Sequence, residues 1–406
     1  MPVATEINTS AGWWFFITTL VLFFIATTNA SAIPRTPVDE NEVLEKLPVS
    51  FLGKKDNLSV LQKKLLEQPD NLSLAIVLAK KYIEAGREQS DPRQFGYAQA
   101  ALRTWWNETQ PPNEILLLRA TIRQHHHQYD EAVTDLKALL KRQPRHAQAW
   151  LTLSVVQQVR GDYAGVRASC AALARVASSW ISSLCYSQVM AVTGEAERAY
   201  QIQSQLARDP EQNNVELRQW LLTLAGETAL MLGKNKSAEN HFKKALGLGY
   251  RDPYLLRVYS DLLIQQLQPK AVLKLLADEV HNDAFLLRLA IAAKHAGKTK
   301  IFQQYKSQLE ARYRAAQLRG SRLHEREEAL FFLQVNKNSD KALELALSNW
   351  AIQKELEDTR IVLMSALESK QYQRISSVLD WIKKNKTQDV RLNILIKRIH
   401  ENVARN

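Results

Sequence analysis

Glycine and proline are scarce in this chain of 406 residues, with 13 and 12 copies, and cysteine occurs only twice. An all-β protein needs many tight turns, and glycine and proline are the usual turn residues, so their scarcity argues against that class. Good helix formers such as alanine, leucine, lysine and glutamate dominate instead. Hydrophobic residues make up 46% of the chain, which is enough for a packed core and excludes a disordered protein.

Catalytic motifs are missing as well. The sequence contains no nucleophile elbow, no glycine-rich phosphate loop, and no HExxH or CxxC spacing. Acidic residues are scattered at helical positions, and no insertion is long enough to build an active site. We therefore expect a protein that is not an enzyme and has no catalytic residues and no cofactor.

The N-terminal residues form a targeting segment. An apolar run from Trp13 to Ala26 is followed by Ala30-Ser31-Ala32, small residues of the kind that signal peptidase recognises. The run is short for a membrane span, so we predict a cleaved signal peptide over residues 1–32 and a tether over residues 33–56. Because the first eleven residues contain no lysine or arginine, an uncleaved N-terminal anchor remains the alternative.

The rest of the chain is repetitive, with a period close to 34 residues. Large and small residues recur in the same order at Leu116, Ala120, Tyr129, Ala132 and Leu136, and then at Trp150, Ser154, Tyr163, Val166 and Cys170. The most complete copy runs from Leu222 to Tyr250, and weaker copies follow at intervals of about 30 to 40 residues. This period predicts two antiparallel helices per unit, with small residues where the helices approach closely.

This spacing resembles that of the tetratricopeptide repeat family over more than three quarters of the chain. The resemblance implies an all-α, right-handed solenoid of about eight helix-turn-helix repeats over residues 57–404, with a C-terminal closing helix. It also implies a scaffold that binds a protein or peptide through its inner face. With an exported N-terminus, the chain looks like the tetratricopeptide proteins of the Gram-negative periplasm. The alternative is a cytoplasmic adaptor anchored in the inner membrane.

Three consecutive histidines, His125, His126 and His127, fall at the end of a first helix and in its turn. Adjacent residues on a helix face different directions, so the three rings cannot point at one ion. We therefore predict a polar turn and no metal site. An accessory factor that handles metal through its histidines remains a second alternative function.

The two cysteines lie on neighbouring helices by the repeat phase. Cys170 falls on the second helix of one unit and Cys185 on the first helix of the next, each about seven residues from the turn between them. In an oxidising compartment a disulfide would close a short loop and contribute about 3 kcal/mol. Two buried free thiols are the alternative, and the sequence leaves both open.

The inner face of the family's superhelix is lined mainly by the first helix of each repeat. Aromatic residues and arginine are the usual anchors of an interface. Projecting the repeat phase predicts partner contacts at Leu151, Trp220, Tyr254, Arg257, Leu287 and Phe331, with Val155, Glu227, Asp261 and Arg360 on the same face. For each of these residues, ordinary packing between repeats is the alternative.

The formal net charge is +12, and one stretch, Arg312 to Arg326, carries five arginines: Arg312, Arg314, Arg319, Arg322 and Arg326. An acidic protein partner or an anionic lipid surface would suit this stretch. A solvated helix face is the plainer interpretation. Aromatic residues do not alternate with these arginines, so we expect no nucleic acid. We expect membrane contact only if the N-terminal segment is retained.

Overall fold

The computed structural model describes residues 56–89, 91–208, 214–318 and 325–405. The predicted signal peptide lies outside these residues, as does the tether apart from its last residue, so both stay predictions. The described residues from Asn57 onward belong to one compact unit. Within these ranges, every helix is too short or too polar to span a membrane.

The described residues are helical and contain no strand. The helices are α1 (Asp56–Glu67), α2 (Leu72–Gln89), α3 (Arg93–Ala101), α4 (Arg103–Trp106), α5 (Asn113–His125), α6 (Tyr129–Arg142), α7 (Ala147–Val159), α8 (Tyr163–Leu173), α9 (Ser179–Val192), α10 (Ala196–Leu206), α11 (Val215–Met231), α12 (Asn235–Leu246), α13 (Pro253–Gln265), α14 (Pro269–Leu275), α15 (Asp283–His295), α16 (Thr299–Leu318), α17 (Glu325–Phe331), α18 (Ser339–Ile352), α19 (Leu356–Ser369), α20 (Ser376–Lys384) and α21 (Val390–Arg405). A π-helical turn, Phe332–Asn336, continues α17, and a 3-10 turn, Tyr372–Ile375, precedes α20.

Consecutive helices pack in pairs. The first pair is α2 with α3, and eight further pairs run from α5 with α6 to α19 with α20. The short helix α4 follows the first pair, and α21 closes the array. This arrangement confirms the all-α, tetratricopeptide-like fold, with nine pairs in the described ranges where the sequence indicated about eight.

The turn inside each pair after the first contains one residue in the left-handed backbone region. These residues are His127, Gly161, Gly194, Gly233, Leu267, Gly297, Lys337 and Lys370. The amide that follows each of them donates back to a carbonyl near the end of the first helix, as Asp162 does to Gln157. This C-cap ends the first helix sharply and starts the second helix in the opposite direction. His127 is thus a turn residue of the repeat.

Small residues set the distance between the two helices of a pair. A Cβ placed on Gly226 of α11 would lie 2.4 Å from Cε1 of Phe242 on α12. Phe242 is completely buried and cannot move aside. The repeat phase had placed a small residue at this position, and the packing explains why it is glycine.

A disulfide links the third and fourth pairs. Cys170 on α8 and Cys185 on α9 are bonded, with their Cα atoms 5.6 Å apart. Both residues are buried among apolar side chains from α8 and α9. Of the two alternatives that the sequence left open, the structure contains the bonded one.

The C-terminal pair packs back against much earlier pairs. The backbone amide of Lys354, just before α19, donates to the carbonyl of Val159 at the end of α7, at 2.7 Å. The hydroxyl of Tyr129 donates to Oε1 of Gln353 at 2.9 Å, across 224 residues of sequence. These bonds join the second and third pairs to the segment that leads into the ninth.

The same contact continues across the next turns. The ring of Trp381 on α20 lies 5.7 Å from the ring of Tyr163, and its edge faces Gly161. Further along, Val390 at the start of α21 faces Gly233, the turn residue of the fifth pair. The helical array therefore closes on itself, and helices from early and late pairs surround a common space.

Candidate functional site: the inner cavity

The closure of the array leaves a cavity of about 350 Å³ that is open to solvent, which we call the inner cavity. First helices of successive pairs form most of its wall, and residues at the start of α19 and α21 complete it. Its principal lining residues are Val155, Val159, Gln188, Trp220, Leu224, Glu227, Met231, Tyr254, Arg257, Asp261, Glu355, Leu356, Glu357, Arg360 and Arg391. The lining combines apolar side chains with seven charged ones. A cavity of this size is typical of a binding site for a small ligand or a short inserted segment.

Tyr254 organises one wall of the cavity. Its hydroxyl donates to the carboxylate of Glu227 on α11, at 2.8 and 3.0 Å from the two oxygens. The guanidinium of Arg257, one turn further along α13, lies 4.9 Å from the centre of the tyrosine ring. Tyr254 remains 37% exposed, so water reaches this wall. We call Glu227, Tyr254 and Arg257 the receptive cluster.

The enclosed position of the receptive cluster changes its protonation. Burial raises the pKa of Glu227 to about 7, although the hydrogen bond from Tyr254 lowers it. Burial and the charge of Glu227 raise the pKa of Tyr254 well above its usual value. Near neutral pH, Glu227 therefore carries only part of its charge, while Arg257 is fully charged.

Arg257 has no carboxylate partner among the described residues, where no acidic oxygen lies within the 4.0 Å of an ion pair. The other two arginines of the lining are paired. Arg360 pairs with Glu357 at 2.6 Å, and Arg391 pairs with Asp389 at 2.5 Å. Burial alone would raise the pKa of Glu357, but the guanidinium of Arg360 lowers it to about 2.

A satisfied network around Asp358, which we call the clamp network, adjoins the cavity through Glu355. Arg326 at the start of α17 bonds both oxygens of Asp358, at 2.5 and 2.8 Å, and also pairs with Glu355. The amide of Asn349 donates to the same carboxylate at 2.7 Å. Burial would lower the pKa of Arg326, but the charges of Asp358 and Glu355 hold it well above its usual value.

Three of the six predicted partner contacts come together in this cavity, as do the four other residues predicted on the same face, Val155, Glu227, Asp261 and Arg360. Trp220, Tyr254 and Arg257 all line it. Leu151 is half-buried and packs against the apolar cluster around the disulfide. Leu287 and Phe331 lie in the core, at 0% and 1% exposure, because they pack in one apolar cluster with side chains of the helices from α15 to α21. A partner cannot reach these two side chains in the closed array.

The stretch from Arg312 to Arg326 does not form one basic surface. Arg312 pairs with Asp283 at 2.7 Å, and Arg326 belongs to the clamp network. Arg314 is exposed, while Arg319 and Arg322 lie outside the described residues. The density of arginine in the sequence therefore overstates the positive surface that the described residues offer to an acidic partner.

The histidines of residues 125–127 point in different directions. The ring of His125 stacks on Phe95 at 3.5 Å, and the ring of His127 stacks on Tyr129 at 5.6 Å. Burial lowers the pKa of His126. In the described part of the chain, no three histidine, cysteine, aspartate or glutamate residues are grouped as metal ligands would be.

Some lining residues were missed by the sequence analysis. Glu355, Glu357 and Arg391 enter the cavity because the C-terminal pair returns to the early pairs. The start of α19 does carry a local signal, since Glu355 and Asp358 form a capping box. That signal predicts a helix start and does not reveal the distant contact with Tyr129 and Val159.

Comparison with known proteins finds similar solved structures but no matching family. No family model and no curated protein matches the sequence. Similar solved structures include PilW, described as a widely conserved type IV pilus biogenesis factor, at 18% identity and a TM-score of 0.40, covering 50% of this chain and 93% of that one. PilF of Pseudomonas aeruginosa is 19% identical, with a TM-score of 0.38 and 50% and 91% of the two chains covered.

A tetratricopeptide repeat protein from Parabacteroides merdae is similar at 16% identity and a TM-score of 0.42, with 63% of this chain and 95% of that one covered. At these identities the likeness concerns the helical repeat fold alone.

Proposed function

We propose that the protein is a non-enzymatic adaptor that binds a protein or peptide partner at the inner cavity, in the periplasm of a Gram-negative cell. The observation that carries this proposal is the convergence of Trp220, Tyr254 and Arg257 on one water-accessible cavity. Aromatic residues and arginine in an enclosed pocket are the side chains that dominate binding energy at interfaces.

The size of the cavity limits what a partner inserts. A stable protein interface buries about 1,200 Å² or more, which is far larger than the wall of this cavity. The cavity therefore accommodates a short anchor, such as a loop tip or one large side chain, and the rim of the array supplies the remaining contact.

The compartment is proposed from two features that support each other. The apolar run that ends at Ala32 is typical of an export signal. The disulfide between Cys170 and Cys185 suits an oxidising compartment such as the periplasm. The mass and N-terminal residue of the native protein, measured without reductant, test this point. A mature chain that starts at Ile33 is expected, and a full-length chain in the membrane fraction would contradict it.

Partner binding is tested with two tyrosine variants that differ only in position. Tyr254 lines the cavity and is 37% exposed, while Tyr250 lies four residues earlier, is 39% exposed and does not line it. Cross-linking in cells followed by purification should recover a stoichiometric partner with wild type and with Tyr250→Ala. Tyr254→Ala and Trp220→Ala should reduce recovery at least tenfold. Equal recovery with all four proteins would show that the cavity is not the binding site.

A further inference from the structure

Within the receptive cluster, Arg257 forms no direct ion pair with another described residue. Arg257 faces the cavity with its guanidinium over the ring of Tyr254 and with no acidic oxygen at ion-pair distance among the described residues. The neighbouring arginines Arg360 and Arg391 show that this chain pairs such groups where it can. Burial and the charge of Arg326 oppose the charged form of Arg257, but Tyr254, Asp261 and Glu355 raise its pKa. Its guanidinium therefore stays charged, and its donors need water or a ligand to bond.

The surroundings of Arg257 are amphipathic. On the α11 side, Trp220, Leu224 and Met231 form an apolar wall, which Val155 and Val159 of α7 extend. The hydroxyl of Tyr254 is committed to Glu227, so the tyrosine presents mainly its ring to the cavity. A ligand that matches this wall has an apolar body and one anionic head.

The other acidic side chains of the lining bond directly to other arginines, and Asp261 and Glu355 act on Arg257 only through longer-range charge. Asp261 is held by Arg288 through two hydrogen bonds of 2.8 Å, and Glu357 is held by Arg360. Glu355 pairs with Arg326 of the clamp network. These contacts fix the acidic groups on the cavity wall and leave Arg257 accessible to an external anion.

We propose that the inner cavity binds one small amphiphilic anion, a carboxylate or phosphate monoester with a short apolar body. The head bonds Arg257, and the body lies along Trp220, Leu224 and Met231. The volume of about 350 Å³ suits a molecule of this size. This site goes beyond the proposed adaptor function, since a small ligand can occupy the cavity whether or not a protein partner exists. A bound anion would also compete with an inserted partner anchor.

Calorimetric titration of the purified full-length chain tests the proposal with four probes of equal chain length. Decanoate and decyl phosphate carry the anionic head, decanol is neutral, and decyltrimethylammonium is cationic. The two anions should bind one per chain and at least ten times more tightly than decanol, because a charge-assisted bond to arginine is worth about a factor of ten or more. The cation should not bind. Equal affinity for decanoate and decanol would overturn the proposal.

Arginine variants assign the site. Arg257→Gln should weaken decanoate binding at least tenfold, and Arg257→Lys should restore part of it. Arg145→Gln, at an exposed arginine outside the cavity, should bind as wild type does. Unchanged affinity in Arg257→Gln would overturn the proposal. Vesicles of phosphatidylglycerol should not bind, because Arg257 lies inside the array, and binding to vesicles without binding of free decanoate would also overturn it.

The outcomes for the ligand and for the adaptor are separable. Failure of decanoate to bind, together with partner recovery that depends on Trp220, would overturn only the small-ligand site. One-to-one decanoate binding without any partner would leave the ligand site standing and overturn the adaptor function. If both hold, decanoate added to the cell extract should reduce partner recovery by wild type and not by Arg257→Gln.

Discussion

Two groups of side chains at the inner cavity, the clamp network and the receptive cluster, carry similar charges in opposite states. In the clamp network, Arg326 and Asp358 are bonded on every side, and Asp358 is completely buried. In the receptive cluster, the guanidinium of Arg257 contacts the ring face of Tyr254 and forms no ion pair, and that tyrosine is 37% exposed. This difference in bonding indicates that the two groups have different roles. The clamp network holds the C-terminal pair in position, whereas the side chains of the receptive cluster remain available to bind a ligand or a partner.

The largest expected effect comes from breaking the clamp network. Asp358→Ala leaves the guanidinium of Arg326 in an enclosed position, 12% exposed, without its main partner. Loss of one partner of a buried ion pair costs about 3–5 kcal/mol. Urea unfolding followed by circular dichroism measures the loss.

An exposed ion pair serves as the control. Lys234 and Glu197 are bonded at 2.7 Å but are 38% and 55% exposed. Glu197→Ala should lower the free energy of unfolding by about 1 kcal/mol or less. If Asp358→Ala costs no more than this control, the clamp network does not hold the array closed.

The second prediction tests whether packing against α12 fixes the position of α11 and, with it, of the receptive cluster. Gly226 lies on α11, the helix that carries Glu227, and its added methyl would meet the buried ring of Phe242 at 2.4 Å. Gly226→Ala should therefore lower the free energy of unfolding by about 1–3 kcal/mol, despite the higher helix propensity of alanine.

Gly96 provides the matched position, because a Cβ there meets nothing within 4 Å and the residue also lies inside a helix. Gly96→Ala should stabilise the protein by about 0.5–1 kcal/mol. If Gly226→Ala and Gly96→Ala change the free energy of unfolding with the same sign and by the same amount, α11 is free to shift. Packing then does not set the position of the receptive cluster.

These contrasts also show what the sequence could and could not predict. The 34-residue period placed Trp220, Tyr254 and Arg257 on one face, because residues at equal phase in successive repeats align. The sequence also predicted local packing between paired helices, as at the small residue Gly226. The sequence did not predict the burial of Leu287 and Phe331, because that burial depends on which later helices cover them.

The closure of the array is the part that periodicity cannot reveal. Tyr129 and Gln353 are 224 residues apart, and neither departs from its repeat in a way that marks a contact. A repeat pattern describes neighbours in sequence, whereas closure depends on the accumulated rotation of all the pairs between. The clamp network and the entry of Glu355 and Arg391 into the cavity follow from that rotation.

A third prediction concerns pH and belongs to the receptive cluster alone. In the folded protein the pKa of Glu227 is raised to about 7, from 4.5 for a free side chain. Between these values the folded state keeps a proton that the unfolded state has lost, so stability must fall as pH rises through this window. In Glu227→Gln this fall should be smaller, as measured by urea unfolding at pH 5 and pH 8. Identical profiles would place Glu227 in ordinary solvent.

Arg257 should show the smallest effect on stability of all these positions, although its replacement should weaken decanoate binding at least tenfold. Because it has no ion-pair partner in the described structure, Arg257→Gln should change the free energy of unfolding by about 0.5 kcal/mol or less. Arg288 on the next first helix is the matched arginine, 1% exposed and bonded to Asp261, and Arg288→Gln should cost several times more. If both variants lose the same stability, Arg257 holds the fold as Arg326 does. The clamp network and the receptive cluster would then no longer differ, and there would be no reason to expect an anion at Arg257.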